Sequence, residues 1–473
     1  MSTVGGATGK GGVAAALPAA HGVWDNPPMA GNQATGPASR GPAGASSAGP
    51  AGDVRTSGQI TGRRGASLAG PAGDGRAYGR PPGRWIPDLV ETSAGTPAGE
   101  LLRRYWHPVA LSSTATSLPR QVRLLDEDLI LFRDGSGRAG LLEPRCCHRG
   151  TTLFYGRVEE SGIRCPYHGW LFAVDGACLD QPCEPDRGRN RDSYRQPWYP
   201  VQEYNGLVFA YLGPADRQPV LPRYDIFEDL GPDEEIVIID HFAFGGPTVA
   251  PCNWFQTHEN AMDPYHVFIL HNAISGHQFD PRLEIWPRID WQRHNWGVTA
   301  SQDRDLPDGN RLHRVTEIRV PTIRVIPTPT LTVVGKTNNM SWAVPIDDTH
   351  TWVVSMLRKP KDRPAQGLPT YGDGKTWFDL DSEGHQRYPG DYETQVGQGP
   401  ITLHSSEHLA SSDRGVSMVR RQFLDQVKVV AEGGDPVGVS FDAEEPPVSL
   451  RAGNYVVGRD DDALATKYSY VGP

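Results

Sequence analysis

RCCHRGTTLFYGRVEESGIRCPYHGW, residues 145–170, carries a Cys-x-His pair (Cys146, His148) and a Cys-x-x-His pair (Cys165, His168), with sixteen residues between them. Thiolates and imidazoles are transition-metal donors, and one or two intervening residues let both members of a pair face a single centre. Strand-rich runs surround the pairs: RQVRLL, LILFRDGSGRAGLLE, GWLFAVDGACL and GLVFAYLG, broken by Asp-Gly and Gly turns. This pattern predicts a small antiparallel β domain over about residues 105–215, with the two pairs at two hairpin tips. A zinc site uses the same donor types. Zinc fingers, however, pair Cys with Cys and His with His, whereas each pair here mixes a thiol with an imidazole.

In a Rieske [2Fe-2S] centre two His ligate one iron and two Cys the other, so each hairpin gives one ligand to each iron. Cys146 and Cys165 then serve one iron, His148 and His168 its neighbour. With Gly150, Pro166, Gly169 and Trp170 around the ligands, the segment closely resembles the Rieske domain signature. Cys147 sits between ligand positions as a bystander, and Cys178 and Cys183 match no ligand position, which reads as structural burial.

Farther along, NWFQTHENAMDPYHVFILH reads as a helix carrying Asp263, His266 and His271. Asp263 and His266 are three apart and share a helical face. His266 and His271 are five apart, about 140° around an ideal helix, so the helix must end or distort for both to grip one ion. A two-histidine, one-carboxylate site leaves iron positions open and takes its carboxylate from elsewhere. Asp413, in EHLASSDRGVSMVRR about 140 residues on, is the candidate; the plainer reading of that residue is a helix N-cap.

A Rieske segment near residue 150, then E-N-x-x-D-x-x-H-x4-H near 265 and a late S-D-R helix, resembles the catalytic subunit of the Rieske non-haem iron oxygenases over roughly residues 83–445. GTPAGELLRRYW, CLDQPCEP and HLASSDRG look most similar to the branch of phthalate dioxygenase and aromatic O-demethylases. The resemblance implies a [2Fe-2S] cluster on Cys146, His148, Cys165 and His168, and a mononuclear Fe(II) on His266, His271 and Asp413. It also implies that Asp263 bridges that iron to a Rieske histidine of a neighbouring subunit, and that Asn260 and Asn253 lie near the iron pocket. Dioxygen is the co-substrate, and NAD(P)H contributes only through a separate reductase, possibly with a ferredoxin. The substrate implied is aromatic, an acid or a methoxy compound, and the assembly a trimer or a hexamer of two trimers. Arg324, Arg314 and His294 are candidate contacts for a substrate carboxylate, although surface positions are expected for all three.

The fold class expected is α+β. An antiparallel Rieske domain (83–215) precedes a catalytic domain (216–445) whose sheet is bracketed by an early and a late helix, helix-grip or START-like by resemblance. Residues 1–82, rich in Gly, Ala and Pro, are expected to be disordered, and 446–473 to form a C-terminal tail.

A chain of 473 residues, 22% charged, has room for two or three domains. Its net charge of -10 argues against nucleic acid or anionic membrane as main partner, and no apolar run is long enough to span a bilayer. Six cysteines, five of them between Cys146 and Cys183 beside histidines, suit metal chemistry in a reducing cytoplasm rather than a disulfide scaffold. Two other readings remain at this stage. HSSEH at 404–408 matches the H-x-x-E-H motif of inverted zinc peptidases, with Glu407 as base. A pure electron carrier needs only the Rieske pairs, and iron content of two per chain rather than three distinguishes it.

Overall fold

The computed structural model describes residues 82–242, 246–276, 278–364, 371, 374–458 and 463–471. The stretch read as disordered, 1–82, lies outside these but for Pro82. Among the described residues no helix is long and apolar enough to cross a membrane.

Alternating apolar residues and tight Gly turns give three small antiparallel sheets in the first half. Arg120–Leu124, Glu127–Arg133, Ala139–Leu142 and Trp198–Tyr199 form one, and Arg157–Glu159, Gly162–Arg164, Leu171–Phe172 and Cys178–Asp180 a second. Each carries one metal-donor loop: Cys146 and His148 follow Ala139–Leu142, and Cys165 and His168 join Gly162–Arg164 to Leu171–Phe172. Ile130, Phe132, Leu142, Leu153, Ile163, Trp170 and Phe172 pack with Cys146 and Cys165 into a core of their own. The third sheet pairs Trp106–Leu111 with Leu207–Tyr211 and Val201–Tyr204. A short helix, Pro97–Leu102, ends ahead of this sheet, and Trp106 begins a strand opposite Tyr211.

The second half is an eleven-stranded antiparallel sheet, its longest members Gly297–Asp305, Arg311–Arg319, Asn339–Asp347 and His350–Pro360. The segment read as a C-terminal tail contributes to it: Gly453–Val457 pairs with Arg311–Val315, and Tyr468–Tyr470 with Val333–Gly335. One continuous core runs from Leu101, Trp106 and Phe209 through Trp342 to Trp254 and Phe423, joining the three-stranded sheet to the large one.

The late helix, Arg414–Ala431, buries Val416, Val419, Phe423, Val427 and Val430, the three- and four-residue spacing of a single apolar stripe. It lies close against the histidine-bearing segment at Gly415, where an added Cβ would stand 2.3 Å from the Met262 carbonyl oxygen and 2.3 Å from Trp291 Nε1. Trp291 Nε1 already donates to that carbonyl at 3.1 Å. Alanine in a helix gains about 1 kcal/mol over glycine, but forcing a methyl against fixed backbone costs about 1–3 kcal/mol. Gly415→Ala is therefore expected to lower stability by up to about 2 kcal/mol net, read as a fall in the denaturant midpoint at unchanged m-value; a rise would show that the helix can shift freely.

Candidate active site and cluster site

The two donor loops repeat one backbone design. The Gly150 N–H donates to the Cys146 carbonyl at 2.8 Å and the Gly169 N–H to the Cys165 carbonyl at 3.1 Å; both glycines take a left-handed φ, 74° and 73°. The Cys146 N–H donates to the Thr151 carbonyl and the Cys165 N–H to that of Trp170, so each loop closes as a knuckle with its thiol turned inward. Both thiols are buried, while the imidazoles of His148 and His168 are half-exposed with ring centroids 4.6 Å apart. Trp170 stacks on His148 at 4.5 Å with the rings nearly parallel.

Cys165 is pulled down to about 6, chiefly by the hydrogen bond from Cys146, against burial and with help from the Tyr167 and His168 N–H groups; the same thiol contact, then burial, pushes Cys146 up. Two thiols in contact and two imidazoles in contact, on facing loops, fit the donor set of a [2Fe-2S] cluster bound by two Cys and two His. Gln196, which sequence reasoning passed over, is fully buried beneath the first loop. Its Nε2 donates to the carbonyls of Glu143 (2.8 Å) and Arg145 (3.0 Å), and its Oε1 accepts from the Cys147 N–H at 2.8 Å.

The segment read as one helix is broken into four turns of different pitch. Trp254–Glu259 is α-helical, Asn260–Met262 3-10, Tyr265–Phe268 α-helical and Ile269–Ile274 a π-helix. A π turn closes i to i+5, and that is the spacing from His266 to His271. The distortion expected from the 140° mismatch is thus supplied by widening the helix, and the two rings stand 5.4 Å apart.

The third member of the group is Asp391, not Asp413. Nε2 of His266 and Nε2 of His271 stand 3.5 Å and 3.4 Å from the same Asp391 oxygen. These three ligand atoms lie within 4.8 Å of one another, the one such group among the described residues. Ligands about 2.1 Å from a common ion and at right angles are separated by about 3 Å, so the group fits a divalent metal. Asp413 is occupied elsewhere: half-buried at the start of the late helix, its carboxylate accepts the Ala410 N–H at 2.7 Å. That bond closes the Ser411–Asp413 turn; Asp413 stands at the N-cap position of the late helix, but its side chain makes no cap hydrogen bond to that helix.

Asp391 is buried and starts the short helix Asp391–Val396. Burial alone would raise its pKa, yet the His271 and His266 imidazoles and the Arg324 guanidinium hold it well below the usual carboxylate range. Burial lowers His271, but the Asp391 charge, contact with its carboxylate and the Nδ1 hydrogen bond to Gln278 Oε1 leave it raised. Asn260 Nδ2 donates to Asp391 at 3.2 Å, so Asn260 touches the group as the resemblance implied. Asn253 does not; it caps the Trp254–Glu259 helix and ties it to the carbonyls of Val90 and Asp348.

Asp263 reaches His266 by its backbone. His266 Nδ1 donates to the Asp263 carbonyl, while the carboxylate lies 3.8 Å from that nitrogen, accepts the Tyr265 N–H and is about one-third exposed. His271 is oriented by Gln278, whose Oε1 accepts from Nδ1 at 2.7 Å and whose own N–H donates to the His271 carbonyl at 3.0 Å. Both histidines therefore carry their proton on Nδ1 and turn Nε2 toward Asp391, the tautomer a metal ligand needs.

Arg314 and Arg324, expected at the surface, are buried. Arg324 donates to the Thr257 carbonyl at 2.9 Å and lies near enough to Asp391 to help hold its charge. The HSSEH motif is taken apart: His404 Nδ1 accepts the Ile86 N–H at 3.1 Å, and Glu407 pairs with Arg420 at 2.8 Å, which also holds buried Glu259 at 2.7 Å.

The Rieske [2Fe-2S] domain family matches residues 105–204. The alpha subunit of phenoxybenzoate dioxygenase from Ectopseudomonas oleovorans is 49% identical over 394 residues, 81% of this chain and 95% of that protein. The chain belongs to the oxygenase (alpha) subunits of the Rieske non-haem iron oxygenases. Other members of the family with extended similarity are the oxygenase subunit of phthalate 4,5-dioxygenase from Pseudomonas putida, 30% identical over 81% of this chain and 94% of that one, and that of 5,5'-dehydrodivanillate O-demethylase from Sphingobium sp., 35% identical over 75% and 82%. Among solved structures, Pseudomonas putida CBB5 NdmA with caffeine has the same fold, with a TM-score of 0.54 at 19% identity over 74% of this chain and 100% of that one. As a Rieske oxygenase the protein is an oxidoreductase with a [2Fe-2S] cluster and a mononuclear iron, acting with dioxygen.

Two substitutions separate the carboxylates. Asp391→Asn is expected to lose the mononuclear iron while keeping the cluster's visible spectrum, whereas Asp413→Asn keeps full iron and loses about 1 kcal/mol of stability; iron analysis of both proteins decides. Gln278→Leu is expected to weaken Fe2+ or Co2+ binding at the mononuclear site by about 10–100-fold, measured by metal titration of the apo site, with Gln278→Glu retaining the metal.

Proposed function

We propose that His266, His271 and Asp391 hold the mononuclear Fe(II) and that Cys146, His148, Cys165 and His168 hold the cluster, in a terminal oxygenase for an aromatic acid or aryl ether. The observation that carries the first assignment is the convergence of two Nε2 atoms on one buried carboxylate oxygen. When bound, the cluster relays single electrons and the iron activates dioxygen. The chain's own residues prepare this chemistry: Asp263 and Gln278 fix the histidine tautomers, Asn260 anchors Asp391, and buried Cys146 and Cys165 leave the imidazole side of the cluster facing outward.

Monohydroxylation and O-demethylation each consume one dioxygen, two electrons and two protons, placing one oxygen in the substrate and releasing the other as water. Phenoxybenzoate, phthalate and 5,5'-dehydrodivanillate name the substrates of similar proteins, and an aromatic ring bearing a carboxylate or an ether is their shared chemistry. Electrons come from NAD(P)H through a separate reductase, with or without a ferredoxin.

Electron transfer crosses between subunits of a trimer or a hexamer. We read the Asp263 carboxylate, part-exposed and 3.8 Å from His266, as the acceptor of a hydrogen bond from a Rieske imidazole of the neighbouring subunit. Asp263→Asn is expected to retain three irons per chain and the reduced-cluster resonance, while product formed in a single turnover of pre-reduced enzyme with phenoxybenzoate falls by at least about 100-fold. Wild-type product yield from that variant would remove the bridge, and absence of product from wild-type enzyme with every aromatic acid and ether in a panel would remove the substrate class.

A further inference from the structure

His271 and Asp391 arrive on segments far apart in the chain, and one residue bonds to both. Ser275 ends the π turn Ile269–Ile274. Its N–H donates to the Leu270 carbonyl at 3.0 Å, an i to i+5 bond that closes the wide turn around His271. Its Oγ donates across to the Pro389 carbonyl at 2.5 Å, two residues ahead of Asp391. Ser275 is fully buried, so water does not compete for that hydroxyl. Gly276 follows with a left-handed φ of 71°, which turns the chain away directly after the bonded residue.

The Asp391 segment is held on its other side by a glutamate. The Gly390 N–H donates to Glu393 Oε2 at 2.7 Å, and Glu393 Oε1 accepts from Trp377 Nε1 at 2.7 Å and from His385 Nδ1 at 2.8 Å. The helix that Asp391 opens has only six residues, too few to keep its shape without outside bonds. A π turn is likewise rare, and persists where its surroundings sustain it. Each ligand-bearing element is therefore weak alone, and the Ser275 hydroxyl makes one depend on the other.

We propose that Ser275 latches the His271 turn to the Asp391 segment, so that the two ligand-bearing elements open and close as one unit and the mononuclear iron is retained. This rests on the assignment of His266, His271 and Asp391 as iron ligands, and adds a positioning residue that acts on them through the backbone. Removing an outer bond that orients a ligand commonly weakens metal binding by about 10–100-fold. Here the bond orients two ligands at once, because the turn it closes carries His271 and the carbonyl it holds leads into Asp391.

Iron release from the full holoenzyme tests the latch. Reduced, anaerobic wild type, Ser275→Ala and Ser275→Thr are mixed with the ferrous chelator ferrozine while the cluster's visible spectrum is followed. Ser275→Ala keeps the backbone bond to Leu270 and loses only the hydroxyl; it is expected to release the mononuclear iron at least about 10-fold faster than wild type with the cluster intact. Ser275→Thr keeps the hydroxyl and is expected to release iron more slowly than Ser275→Ala. Release from Ser275→Ala at the wild-type rate overturns the latch, and so does equal release from the two variants. Hydrogen exchange on iron-free wild type, read by mass spectrometry over a low-denaturant series, needs no variant: peptides over 269–275 and 389–396 are expected to show protection factors within about threefold of each other. A wider difference overturns the latch even if the variants fail to fold. Iron retained by Asp391→Asn removes the ligand assignment beneath the latch, whereas an iron-free Asp391→Asn beside an unchanged Ser275→Ala removes the latch alone.

Discussion

A buried carboxylate facing two imidazoles across about 3.5 Å is the constraint on which the catalytic half depends. Asp391 is wholly inside the protein, where an ionised carboxyl is costly unless cations offset it. Arg324 supplies one, and a metal shared with His266 and His271 would supply the other. The histidines meet Asp391 only because the helix widens to a π turn between them, and that irregular backbone survives because Gln278, Phe279 and Asp263 hold each ring from behind.

The two metal sites solve opposite problems with similar means. The cluster loops bury their thiols and present their imidazoles, which exposes one side of the centre to an electron partner. In the His266–His271–Asp391 group His271 and Asp391 are sealed and His266 is only part-exposed, which limits the access of water. Both sites fix their histidines through a second bond on the ring or a stacked neighbour: Trp170 on His148, Phe279 on His271.

Charge is distributed in layers around the iron site. Arg420 is shared between Glu259 and Glu407 behind the Trp254–Glu259 helix, a paired network with its charges offset. Arg324 beside Asp391 is offset by one carboxylate. Among the described residues the hydrogen-bond partners of Arg304 and Arg314 are neutral groups.

The donor loops were legible because their geometry is local. Cys146–Gly150 and Cys165–Gly169 each close within five residues, so spacing and glycine placement specify the knuckle before any tertiary contact forms. The five-residue step from His266 to His271 was legible as a mismatch with an ordinary helix, though its resolution as a π turn was not. Asp391 could not be picked out. It is the first residue of a six-residue helix in a stretch where Asp379, Asp381, Glu383 and Glu393 are equally plausible, and its only local mark, Gly-Asp before a capping Glu, is common to many helix starts. Asp413 had the stronger local signal because a long amphipathic helix follows it, and that signal was for a cap. The buried arginines were hidden for the same reason: alternation shows that residues 304 and 314 share a face parity with apolar neighbours, but which face is inside, and that no acid waits there, depends on strands and loops far apart in the chain. Short-range spacing determined the chemistry of the cluster site; long-range packing alone decided which carboxylate joins the histidines, because a side chain's partner across a hundred residues is set by where the core puts it.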